Sequence, residues 1–140
     1  MLNDDEFIKQ FESLKLDSSY FNHYGHIRLG WLYLNRMDSS KAEQRLVTGI
    51  NRYATSLGAA HKFHYTLTIA LARIINQRLA KSQPENVGLS SEISWQSFQE
   101  NNHDLFNDAL AVLYGYYTKE QLALPEAKVA FIEPRVSFTE

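Results

Sequence analysis

Between Ala60 and Lys81 the apolar residues recur at helical intervals. His64, Leu67, Leu71, Ile74 and Ile75 share one stripe, His61 and Thr68 flank it, and Lys62, Arg73 and Gln77 lie opposite. This is the most regular segment of the chain, and several others match its period. After a cap at Asp4 or Asp5, Phe7, Ile8, Phe11 and Leu14 form a first stripe. Asp17-Ser18-Ser19 breaks that helix and offers a cap to a second over about 20–36, where Tyr20, Tyr24, Ile27, Trp31 and Leu34 share a face. Arg28, Asn35 and Arg36 are expected off that face, and Gly25 and Gly30 predict a close approach by another element.

A third helix is expected behind a Ser40–Glu43 capping box, with Leu46, Ile50, Tyr53, Ala54 and Leu57 on its apolar side and Gly58 as its stop. Lys41, Arg45 and Arg52 form a basic row on another side. Residues 82–91, with Pro84 and Gly88, read as a surface loop. Beyond them a short helix capped by Ser94, a helix from His103 to Tyr114, and a second capping box at Thr118–Gln121 are predicted. Pro125 suits the first turn of a last helix stopped by Pro134, after which the tail trails away. No stretch alternates as a strand would. The expectation is an all-α chain of 140 residues, one domain, folded as a single compact multi-helix bundle with short C-terminal helices.

The chain has no cysteine, which removes disulfides, thiolate metal sites and cysteine nucleophiles together. Its start is acidic, with no apolar run after it, and no window is long and apolar enough to span a bilayer; the expectation is a cytoplasmic protein with no membrane partner. The net charge of −2 argues against nucleic acid as a partner. The charge is unevenly spread. From Arg28 to Lys81 nine Lys and Arg face two acids, whereas from Ser82 onward nine acids face Lys119, Lys128 and Arg135. An acidic C-terminal part covering a basic middle is the first expectation, and an anionic partner or ligand on the basic helices is the second.

Four of the five histidines fall in two H-x-x-H pairs, His23/His26 and His61/His64, each on a predicted helix. Residues three apart are neighbours on a helix, so packing the two helices together brings three or four imidazoles toward one point. The expected site is a divalent transition metal (zinc, iron, nickel or copper) held by His23, His26 and His64 with His61 as fourth, and with Lys62, Thr68 and Tyr24 as ligand contacts. Glu100 or Asp104 could complete such a set. A metal-free site would instead use His64 or His23 as a general base, helped by Thr66, Thr68, Lys62, Tyr24 or Tyr65. In the bland alternative, His64 is a core histidine donating to a carbonyl. Tyr116 and Tyr117 could line a small-molecule pocket. Phosphate-binding loops, dinucleotide fingerprints, serine-hydrolase elbows and H-E-x-x-H are all missing, and the E-x-x-H spacing of di-iron bundles occurs once, at Glu100–His103.

Taken together, F-x-H-x-x-H-I-R-x-x-W-x-Y-L from Phe21, K-F-H-x-T-x-T from Lys62, Tyr116-Tyr117-Thr118 and the F-x-x-P of Phe131–Pro134 resemble a family of small helical bacterial proteins of uncharacterised function. The resemblance runs from Tyr20 to the tail, implies that His23, His26 and His64 matter more than His61 or His103, and brings no reaction with it. Two functions follow as expectations: a metal-binding protein, with metal-dependent catalysis open, and a non-enzymatic module for a small ligand or protein partner.

Overall fold

A computed structural model describes residues 2–86 and 91–138, and among them the chain is helix and turn with no strand. The all-α bundle is therefore what the chain forms. Its centre is three helices, α2 (His23–Arg36), α3 (Ser39–Ser56) and α4 (Tyr65–Asn86), each packed on the other two. Before them comes α1 (Asp4–Glu12); after them come α5 (Ser91–Asn101), α6 (His103–Asn107), α7 (Ala109–Leu113), α8 (Lys119–Ala123) and α9 (Pro125–Val129). No helix among the described residues is long and apolar enough to cross a membrane.

Several boundaries differ from the sequence expectation, each for a local reason. Asn3, rather than Asp4 or Asp5, caps α1 by accepting from the Glu6 amide at 2.8 Å. At the other end Leu14 takes the left-handed conformation (φ 64°), which turns the chain back so that the Lys15 and Leu16 amides both reach the Gln10 carbonyl. Asp17 caps only a short 3-10 turn, Ser18–Tyr20; Asn22 then starts α2 by accepting from the Gly25 amide. Gly25 is required there, because a β-carbon would overlap the Tyr20 carbonyl oxygen. The Ser40–Glu43 box does not form. Asp38 caps α3 through the Lys41 amide at 2.9 Å, which leaves Glu43 to pair with Arg73 of α4 at 3.2 Å. Gly58 closes α3 as expected, at φ 72°.

A 3-10 turn at Ala60–Lys62 precedes α4, which runs on past Lys81 to Asn86; of the expected 82–91 loop, residues 87–90, with Gly88, lie outside the described residues. Ser94 lies inside α5 rather than at its cap. The 103–114 helix is broken at Asp108, whose extended backbone and side chain, accepting from the Ala111 amide, restart it as α7. Thr118 and Gln121 do form the capping box of α8, and Pro125 opens α9.

The tail does not trail away. Thr66, fully buried, donates its hydroxyl to the Ala130 carbonyl and accepts from the Ile132 amide, while Tyr117 donates to the Ile132 carbonyl at 2.6 Å. Burial pushes the Tyr117 phenol up to about 12, so this bond persists across the working range. Phe131 lies under the Arg73 guanidinium, and Phe138 is buried against Tyr116. Three of the motif positions, Thr66, Tyr117 and Phe131, thus fasten the C-terminus across α4.

The basic middle is neutralised mainly from the other end of the chain than expected. Asp4, Asp5 and Glu12 of α1 meet Arg28, Arg36 and Arg45, whereas among the described residues only Arg78 is met by an acid from the C-terminal part, Asp104. Arg28 is not directed away from the core but buried in it, 6% exposed, its guanidinium on Asp4 and the Leu2 carbonyl and over the Phe7 ring. Its Nε finds no acceptor among the described residues, so the pair has no spare bonds to lose. Asp4→Ala is expected to destabilise the fold by about 1–3 kcal/mol in urea unfolding, because it strands a buried charge. Asp5→Ala, at a pair that stays in water, is expected to change it by less than about 0.5 kcal/mol.

Candidate functional site

Where α2, α3 and α4 come together at the starts of α2 and α4, they leave a cavity of about 370 Å³. Its walls include Phe21, His26, Tyr53, Lys62, Phe63, His64, Leu67 and Thr68. Of the seven residues expected as metal ligands or ligand contacts, His26, Lys62, His64 and Thr68 are therefore brought together, and His23, His61 and Tyr24 are not.

His23 is exposed at the first turn of α2, and its Nε2 donates to the carbonyl of Leu105, 82 positions away, at 2.8 Å. It fastens α6 to α2. His61 sits exposed in the 3-10 turn, where its backbone carbonyl accepts from Lys128. Tyr24 accepts from the Trp95 indole at 2.8 Å and packs in an aromatic cluster with Trp95 and Phe106, away from the cavity. The coordinating set expected of His23, His26, His64 and His61 is not assembled: among the described residues no three His, Cys, Asp or Glu side chains gather as metal ligands would. Asp104 is instead held by Arg78 at 2.9 Å, whose hydrogen bonds lower its carboxyl below the usual range.

His64 has both nitrogens in use. Nδ1 accepts from the Leu67 amide at 3.1 Å, which leaves the ring proton on Nε2, and Nε2 donates to the Leu122 carbonyl at 2.9 Å. No lone pair remains for a metal or for proton abstraction. Its backbone carbonyl in turn accepts from the Thr68 hydroxyl at 2.8 Å. His64 fastens α8 to α4, as His23 fastens α6 to α2.

His26 is different. Among the described residues nothing hydrogen-bonds to its ring, which stacks on Phe21 at 5.5 Å and 22°. Phe21 stacks in turn on Phe11 at 5.3 Å and 23°, and meets Tyr53 edge-on. Burial among these rings pushes the imidazole down to about 4, with a smaller contribution from His23 three residues before it. The ring is neutral at physiological pH, with one donor and one lone pair both uncommitted. Phe21, Tyr53 and Phe63, the aromatic walls, were legible only as motif or core residues, since no local pattern distinguishes a cavity wall from packing.

A second, larger groove of about 930 Å³ runs between the start of α3, the outer half of α4 and the tail. It mixes Arg73 and Lys81 with Glu43 and Glu133, and Arg73 is engaged by Glu43 and Phe131. Comparison with protein-family models, with curated proteins and with solved structures found no match.

The depressed pKa of His26 has a sign that can be checked. Unfolded, the ring takes a proton below about 6.5; folded, it resists until about 4. Stability should therefore fall as pH drops through that window, by at most about 3.5 kcal/mol at about 1.4 kcal/mol per pKa unit. Urea midpoints between pH 7 and 4.5 should show a shallower decline in His26→Phe than in the parent protein.

Proposed function

We propose that this protein is a non-enzymatic module that holds a small organic ligand in the cavity between α2, α3 and α4. The observation that carries the reading is His26: a neutral imidazole in the cavity wall, with neither ring nitrogen committed to the described protein. A partly buried imidazole in a cavity wall, with no hydrogen-bond partner for its ring among the described residues, offers both nitrogens to a ligand able to complete those bonds. The commitments of His64 and His23 to distant carbonyls support a binding role over a catalytic one, because the strongest general-base candidate has no lone pair to use. A metal centre at these residues would require His64 to release the Leu67 amide, since either ring nitrogen can ligate only if Nδ1 gives up that bond. The suggested family resemblance is compatible with this reading, since its histidines then serve one cavity and its supports.

A fragment screen by NMR on histidine-labelled protein tests the proposal. Binders are expected to shift the His26 ring signals, and Ala54→Leu, which fills the cavity wall, is expected to weaken them at least tenfold while the fold persists. Near-stoichiometric metal in protein purified without chelator, lost in folded His26→Ala and His64→Ala variants, would overturn it in favour of a metal site.

A further inference from the structure

We infer that the cavity selects a small carboxylate carried on a flat ring, with Lys62 taking the carboxylate and the ring continuing the stack that ends at His26. This rests on the binding role proposed above and adds the chemistry of the ligand. Charge is the first reason. Among the described residues no Asp or Glu lines the cavity, and Lys62 is the one lining residue with a formal charge at neutral pH. The arginines of the basic middle at 28, 36, 45, 73 and 78 each have a carboxylate within 4 Å, whereas Lys62, exposed at the cavity's edge, has none among the described residues. The nearby Asp17 is turned to the Ser19 amide and is not part of the lining.

Shape is the second reason. Phe11, Phe21 and His26 form a run of near-parallel rings, and among the described residues no further ring stacks on His26. A flat apolar body laid on the imidazole extends that run, while Phe63 and Leu67 bound the space around it. The cavity lies at the small end of ligand pockets, which run from about 300 to 1,000 Å³, so a single-ring acid suits its size. The imidazole, lining the same cavity as Lys62, can then add an N–H to the carboxylate, an arrangement that water-exposed Lys62 alone would hold only weakly.

Four matched probes separate these features: phenylacetate, phenylacetamide, 2-phenylethylamine and cyclohexylacetate, each titrated into the full chain with His26 ring signals as the local readout. Phenylacetate is expected to shift His26 and to bind at least tenfold more tightly than the amide or the amine, and more tightly than the non-planar acid. Lys62→Ala is expected to abolish the preference for acid over amide. The Lys62 side chain makes no hydrogen bond within the described residues, and its amide bond to the Ala59 carbonyl survives the substitution, so this variant should fold as the parent does. Equal or tighter binding of the amide or amine, or a preference that survives Lys62→Ala, overturns the carboxylate assignment while leaving the binding role in place. Equal binding of cyclohexylacetate overturns the flat ring. Failure of all four probes alongside fragment hits that shift His26 overturns the ligand class alone; failure of both overturns the binding role with it.

Discussion

At Gly30 the α2 backbone comes close enough to α4 that a β-carbon there would sit 3.1 Å from the Ile75 methyl, with Leu46 of α3 next nearest. Removing one side chain at this crossing lets the three central helices share a single apolar seam of Ile27, Trp31, Leu46, Ile74 and Ile75. Interior side chains pack at crystal-like density, so a fixed crossing point fixes what lies on either side of it. On one side the aromatic residues of α2 meet α5 and α6; on the other, the first turns of α2 and α4 stand apart enough to leave the cavity. A second small residue acts similarly at Gly49 of α3, which lies against the Phe11 ring and seats α1.

Around this seam the short helices are attached by polar contacts that span long stretches of sequence. His23 holds α6, His64 holds α8, Thr66 and Tyr117 hold the tail, and Arg28 and Tyr33 hold α1 through Asp4 and Glu12. Helices of five residues are too short to be stable alone, so their position depends on such contacts with the core. Most of the motif residues therefore have a structural use. That leaves His26 distinct: it belongs to the same motif, shares the cavity with His64, and makes no hydrogen bond through its ring among the described residues.

One histidine of each H-x-x-H pair lines the same cavity, His26 from the first turn of α2 and His64 from the residue just before α4. The number of histidines facing that region was not legible. His23 begins α2 and looks toward α6, and His61 falls in a 3-10 turn where the helical spacing no longer applies. Capping illustrates the same limit. The Thr118–Gln121 box formed as its sequence suggested, each side chain bonded to the other's backbone amide, whereas Glu43 in the Ser40 box pairs with Arg73 on a neighbouring helix.

Helical periodicity, absent strand patterning, the stop at Gly58 and the helix start at Pro125 determined by themselves that this chain is an all-α bundle with a long α4, because those signals act over a few residues of backbone. The burial of Arg28, the pinning of the tail and the separation of structural from uncommitted histidines were decided only by tertiary structure. Each depends on a partner tens of residues away, such as Asp4 for Arg28 or Leu122 for His64, and on whether a ring nitrogen finds a carbonyl or an open cavity. Desolvation and hydrogen bonding act through space, and a local pattern carries no record of the distance to such partners.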